Sequence, residues 1–167
     1  MMNKLMKGLK CREVYSTIPY KRQDEKNIKQ YLHPFLLKEV EEIYKSLTGC
    51  NPNLATKKSK KNLLWESNVA TTISHIHLFG TNHRPDFVFK FNSGTAVAVE
   101  IKKGESGPEL HEGIGQAIVF STHYEFVSLL FIDTSKDGKI KESLKGEKEQ
   151  NLIASLWKHY NIMFDIV

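Results

Sequence analysis

The stretch that decides the fold runs Pro85-Asp86-Phe87-Val88-Phe89-Lys90-Phe91, turns at Asn92-Ser93-Gly94, and returns as Thr95-Ala96-Val97-Ala98-Val99-Glu100-Ile101-Lys102. Two β-prone runs around a turn triplet predict a β-hairpin. With Ser93 at its centre, Asp86 faces Glu100 and Phe87 faces Val99. Side chains alternate along a strand, so Lys102 shares the face of Glu100. Directly opposed residues lie about 5 Å apart at Cβ. Two carboxylates and an ammonium therefore converge at the open end of the hairpin. Like charges opposed in this way repel unless a cation sits between them, and a divalent metal would resolve the conflict.

The two faces of the hairpin differ. Phe87, Phe89 and Phe91 share one with Val97, Val99 and Ile101, a heavily apolar surface. The other carries Asp86, Val88, Lys90, Ala96, Ala98, Glu100 and Lys102, where small alanines let a helix approach and the charges gather at one end. That is the layout of a site at the rim of a sheet.

Working outward, residues 24–47 carry an apolar stripe at helical spacing, with Pro34 expected to split it into two helices and Thr48-Gly49 to end the second. Residues 1–20 lack evident periodicity and read as a loose arm, and 50–61 as a polar loop ending in Lys57-Lys58-Ser59-Lys60-Lys61. A helix from about Asn62 should carry Leu63, Leu64, Trp65, Glu66, Val69 and Ala70. The β-branched run 71–73 then leads into a strand ending near Phe79-Gly80. After the hairpin come a helix over 109–122, a strand over 126–132, helical pattern within 139–160 and a last strand over 162–167. The expectation is one α/β domain over 1–167, with a central mixed four- to five-stranded sheet flanked by helices and preceded by N-terminal helices. Residues 62–132 form its core and 139–167 add a helix and a strand.

A chain of 167 residues makes one domain that buries roughly 70% of its unfolded-chain surface. With 40% hydrophobic and 26% charged residues it has the composition of a soluble globular protein, and no apolar run is long enough to span a bilayer. Met1-Met2-Asn3-Lys4-Leu5-Met6-Lys7 has lysines but no apolar h-region, which argues against secretion. Cys11 and Cys50 are isolated and fit reduced thiols in the cytoplasm. A net charge of +5 is compatible with a polyanionic partner without requiring one.

Pro85-Asp86, Glu100-Ile101-Lys102 and a Gln on the next helix, Gln116, together resemble the PD-(D/E)xK nuclease superfamily, whose core is a helix, three strands, a helix and a fourth strand. The order of elements over 62–132 matches that restriction-endonuclease-like core. The family often adds an acidic residue on the helix before the first core strand, where Glu66 is expected here. Its RecB-like and archaeal-resolvase-like branches carry Tyr four positions after the Gln, whereas this chain has Phe120, a departure from that pattern. The resemblance implies a Mg²⁺- or Mn²⁺-dependent endonuclease that cleaves DNA to leave a 5′-phosphate. Asp86, Glu100, Glu66 and the Ile101 carbonyl would hold the metal, with Lys102 and Gln116 serving the attacking water. Many members pair as homodimers to cut two strands. The alternative is an inactive module of the same fold that binds nucleic acid or mediates assembly.

The residue types suit that chemistry. Phosphodiester hydrolysis needs a positioned water and neutralisation of developing charge. Carboxylates are hard oxygen ligands for Mg²⁺ or Mn²⁺, and a lysine beside two carboxylates stays charged, which favours positioning over general-base work. Lys57, Lys58, Lys60, Lys61, His83, Arg84 and Lys103 are candidates for the phosphate backbone, the lysine run weighing equally as a solvated loop. His75 and His77 have same-face strand spacing with His83 nearby, but no further ligand falls at zinc spacing. Trp65 and Trp157 read as core residues on helical stripes, and Gly113 and Gly115 as a close-packing surface over Ala96 and Ala98.

Overall fold

The computed structural model describes residues 1–17, 20–66, 73–91 and 94–167. The chain opens with α1 (Met2–Leu9), α2 (Arg12–Thr17), α3 (Glu25–Thr48) and α4 (Pro52–Asn62), then enters β1 (Leu63–Trp65), β2 (Ile76–Leu78) and β3 (Thr81–His83). It continues through β4 (Phe87–Lys90), β5 (Ala96–Gly104), α5 (Gly107–Ser121) and β6 (Phe126–Asp133), and closes with α6 (Lys139–Ser143), α7 (Glu147–Tyr160) and β7 (Ile162–Ile166).

Five strands form one mixed sheet in the order β1-β4-β5-β6-β7, with β2 and β3 as a separate two-stranded hairpin. β4 runs antiparallel to both β1 and β5, while β5, β6 and β7 are mutually parallel. Strands that alternate with helices have room for the crossover a parallel pair requires, and α5 and α7 supply it. The expected α/β sheet with flanking and N-terminal helices is what the chain forms.

The hairpin register is the one read from the sequence: Phe87 pairs with Val99, Phe89 with Val97 and Lys90 with Ala96. The Phe91 amide donates to the Thr95 carbonyl at 2.8 Å, extending the ladder toward the turn. Asn92 and Ser93 themselves lie outside the described residues, as do Val69, Ala70, Thr71 and Thr72. Both faces are covered as the alternation requires. Phe87, Phe89, Val97, Val99 and Ile101 join a core with the buried stripes of α1 and α3, and Ala98 joins a second core with Ala117 and Phe120 of α5.

The sequence expectations fail in four places. The expected loose arm over 1–20 is helical where it is described, in α1 and α2, and Met2, Leu5, Met6 and Leu9 of α1 recur at helical spacing and are buried against α3. Pro34 does not split α3, which is continuous over 24 residues. An internal proline costs about 3 kcal/mol, whereas burying each large apolar side chain stabilises by roughly 1.5–3 kcal/mol. Ile28, Leu32, Leu36, Val40 and Ile43 are all completely buried on one stripe, so packing prevails. Asp24 caps the start by accepting from the Asn27 amide at 2.7 Å, and Gly49 closes the end in the left-handed region at φ +63°.

The expected loop over 50–61 is α4. Asn51 accepts from the Leu54 amide at 2.9 Å, Pro52 opens the first turn, and Ala55 and Ser59 form the buried face. The helix expected from Asn62 does not form over Leu63–Trp65, which make the edge strand β1, paired with β4. The edge strand of the sheet is therefore β1, and of the strand expected to end near Phe79-Gly80, residues 76–78 belong to the separate β2–β3 hairpin.

Candidate functional site

The site lies at the rim of the sheet where β4 begins. Asp86 and Glu100 are 3% and 7% exposed, a burial that carboxylates tolerate only with partners. Asp86 Oδ2 accepts the Ile101 amide at 2.8 Å, which locks the aspartate across the hairpin, and its Oδ1 forms an ion pair with Lys29 Nζ. Lys29 also sits 3.7 Å from Glu25, one turn earlier on α3. Glu100 Oε2 is buried with no hydrogen-bond partner among the described residues.

Proton affinities follow from this burial. Asp86 is pushed up to about 6, chiefly by loss of hydration, with the Lys29 ammonium opposing the rise. Glu100 is raised well above the usual carboxylate range, first by burial and then by the neighbouring Asp86 charge. Burial alone would lower Lys29, but the charge and hydrogen bond of Asp86, with help from Glu100 and Glu25, hold it above the usual lysine value. Lys102 donates to Glu112 Oε1 at 2.6 Å. Burial works to lower its pKa, but Glu112, Glu25 and Glu100 outweigh that and raise it. That direction favours the ammonium form.

Helix α5 delivers the next groups. Gly113 stands against the stem of Lys102, where a β-carbon would fall 3.3 Å from Lys102 Cβ and 3.5 Å from Leu129 Cδ1. The close approach expected over Ala96 and Ala98 is thus at Lys102, and Gly115 faces open space. Because β5 and β6 are parallel, α5 must run back against β5. Gln116 follows one turn beyond Gly113 on the same helix face. Its Oε1 is buried with no partner among the described residues.

Glu66 is at the site but not as expected. It follows the edge strand β1 instead of riding a helix; its amide donates to the Asp86 carbonyl at 2.9 Å, and its carboxylate pairs with Arg84 at 2.7 Å. The acidic residue that does come from a helix preceding the first sheet strand is Glu25, whose Oε1 accepts the Lys103 amide at 2.9 Å. The sequence reading missed Glu25 and Lys29. Their signal was an i, i+4 pair of opposite charges just after a helix cap, a pattern shared with ordinary solvated helix ends.

The expected phosphate contacts divide. Arg84 lines an open groove of about 610 Å³ beside Asp86, together with Lys26, Lys29, Gln30, Trp65 and Glu66. Lys103 is committed within the fold, its Nζ donating to the Gln23 carbonyl at 2.6 Å. His83 pairs with Ile76 in the β2–β3 ladder, and the His77 ring contacts Asn82 Oδ1 at 3.0 Å. Lys57, Lys58, Lys60 and Lys61 lie on α4, not on a loop. Lys58 stands over the Tyr44 ring, whose hydroxyl donates to the Lys90 carbonyl, so this lysine belongs to the far end of β4 from Asp86. Neither tryptophan is on a buried helical stripe. Trp65 is a strand residue stacked with His33 and Phe87, and Trp157 is half-exposed against Phe126.

The carboxylates at this rim offer hard oxygen donors of the kind a divalent cation takes. Two adjacent buried carboxylates with an orphaned oxygen fit one, although no group of three or more His, Cys, Asp or Glu side chains converges at metal-holding distance among the described residues. Also among these residues, no helix is long and apolar enough to cross a membrane. No protein-family model, curated protein or solved structure gives a significant match to the chain.

Proposed function

We propose that this chain is a metal-dependent nuclease that hydrolyses DNA phosphodiester bonds on a restriction-endonuclease-like core. The observation that carries the reading is the opposition of Asp86 and Glu100 across the hairpin, both buried, with Lys102 on the same face and Glu100 Oε2 left without a partner. Burying two neighbouring carboxylates is unfavourable for a fold even with Lys29 beside Asp86, because Glu100 Oε2 stays unpartnered, and a pair maintained at that cost is explained by a cation and its substrate. The element order is compatible with that core once α4 and the β2–β3 hairpin are set aside as insertions: α3, then β1, β4 and β5 in antiparallel succession, α5, then β6 parallel to β5.

Asp86, Glu100 and the Ile101 carbonyl would hold Mg²⁺ or Mn²⁺, which when bound supplies Lewis-acid stabilisation of the phosphate charge. In this reading Glu25 takes the role expected of Glu66. Hydrolysis forms a bond from the water oxygen to phosphorus and breaks the bond from phosphorus to the 3′ oxygen, leaving a 5′-phosphate. Lys102, held as an ammonium by Glu112, orients that water and offsets charge on the pentacovalent phosphate. The acceptor oxygen of Gln116 aligns a water O–H. Lys26, Lys29 and Arg84 outnumber the single carboxylate of the groove and give the phosphate backbone a cationic path.

One observation favours the competing reading, an inactive nucleic-acid-binding module: Lys29 already neutralises Asp86. Plasmid cleavage in Mg²⁺ or Mn²⁺ separates the two. The nuclease reading expects nicking by the wild type with 5′-phosphate ends, abolished by Asp86→Ala and by Lys102→Ala. Cleavage indifferent to both substitutions refutes the site, and salt-dependent DNA binding without cleavage supports the module.

A further inference from the structure

Phe79 is 96% exposed, whereas the other large apolar side chains that reach solvent among the described residues are 36–56% exposed. It occupies the first central position of the two-residue turn between β2 and β3, with φ +50°, followed by Gly80 at φ +75°. Positive φ at both positions defines a type I′ turn, whose first position favours Asn, Asp or Gly. A bulky aromatic residue there is a backbone outlier. Phe79 therefore strains its own backbone and buries no ring in return, and a contact outside the fold accounts for both.

Three observations identify nucleic acid as that contact. The root of the hairpin is anchored on the face of the sheet that bears Glu100 and Lys102, because Ile76 is buried with Ala98, Ala117 and Phe120. Residues 75–84 contain three His and one Arg and no carboxylate, so nothing in the hairpin repels a phosphate backbone. The hairpin also runs directly into Arg84 of the cationic groove and then into Asp86. The chain from Phe79 to Asp86 spans at most about 25 Å, less than the roughly 34–36 Å of one turn of B-DNA. The hairpin tip thus lies within one helical turn of a phosphate placed at Asp86, in reach of the same duplex.

We propose that Phe79 is a base-stacking wedge that directs the site to DNA carrying unstacked bases, such as a bulge, a mismatch or a single-strand junction. The inference rests on the nuclease reading and narrows its substrate. An intact duplex must be unstacked before it can accept the ring, whereas an extrahelical base is already free. The ring thus contributes preference more than raw affinity.

The test is fluorescence anisotropy of the 167-residue chain with a labelled duplex, intact or centrally bulged, in Ca²⁺ buffer. Wild type should prefer the bulged duplex by about tenfold or more, Phe79→Trp should keep the preference, and Phe79→Asn should lose it. Phe79→Asn creates the pair most favoured in a type I′ turn, so it should unfold at a higher temperature, and a lost preference cannot then be a folding defect. Equal preference in wild type and Phe79→Asn overturns the wedge while leaving Asp86-dependent cleavage untouched. Absence of binding to either duplex by wild type overturns the nuclease reading and the wedge together. An oligomer seen by sedimentation without DNA and dissolved by Phe79→Asn, with DNA preference unchanged, reassigns the ring to a protein contact and overturns the proposal.

Discussion

Lys29 and Asp86 meet across the rim of the sheet: the lysine comes from the helix that packs on one face, and the aspartate from the strand end whose alternation points it to the other. This contact places a protein cation beside the position where the nuclease reading puts a metal. It makes the electrostatics of the site measurable without substrate.

Stability should depend on pH in the direction opposite to that set by ordinary salt-bridged carboxylates. Asp86 rises from 3.8 to about 6 on folding, and Glu100 also moves upward. The folded protein therefore holds these protons more tightly than the unfolded chain. The Asp86 contribution is complete below about pH 4 and is lost as pH climbs through about 6, amounting to about 3 kcal/mol, and that of Glu100 is likewise lost as pH rises. Urea unfolding in EDTA across that window should show stability falling with pH, and Asp86→Asn should flatten the slope. A metal-free protein that gains stability over the same window would contradict the buried pair.

Removing Lys29 should expose the repulsion it masks. Lys29→Met leaves two buried carboxylates without their nearest cation, a change expected to cost about 3–5 kcal/mol when both are ionised. Under acid conditions Asp86 takes up a proton and the penalty shrinks. Paired urea titrations, one mildly acidic and one mildly alkaline, measure the difference, and an equal loss in both would assign Lys29 a packing role only.

Glu25 separates charge from hydrogen bonding. Its carboxylate accepts the Lys103 amide, a contact that Glu25→Gln can keep through its side-chain carbonyl. Stability should change by less than about 0.5 kcal/mol, while Mn²⁺ affinity, followed by electron paramagnetic resonance of the free ion, should fall severalfold. Unchanged affinity would remove Glu25 from the metal site.

Two glycines predict opposite outcomes. At Gly104 an added β-carbon would sit 2.5 Å from Glu109 Cβ and 3.1 Å from Phe131 Cζ, so Gly104→Ala should destabilise by about 1–3 kcal/mol through overpacking. Gly113→Ala gains up to about 1 kcal/mol of helix propensity but presses on the Lys102 stem at 3.3 Å. Its melting temperature should stay near wild type while plasmid cleavage falls. If both variants behave alike, the contact with Lys102 has no functional weight.

The sequence was most legible where one period dominated. The alternation of Phe87, Phe89, Val97 and Val99 admits only one hairpin register, because a slip of a single residue turns every apolar side chain to the other face; Asp86, Glu100 and Lys102 followed from it. Legibility ended where tertiary packing overrides local preference. Leu63-Leu64-Trp65 is too short to distinguish strand from helix, and only β4 beside it decides. Pro34 reads as a break until its neighbours' burial is known. Lys29 and Glu25 look like a solvated pair because the sheet rim they reach is built much later in the chain.

The hairpin that opposes Asp86 and Glu100 is also the most local pairing in the sheet, whereas Lys29 must be brought from a helix early in the chain. Short loops close with little entropy loss. When β4 meets β5 before α3 docks, two ionised carboxylates are forced together with no cation between them. Acid lifts that barrier, so refolding should quicken as the pH is lowered. Unfolding begins with the ammonium already in place and should respond less. The placement of one lysine thus makes the speed of folding, and not only the chemistry of the finished site, sensitive to protons.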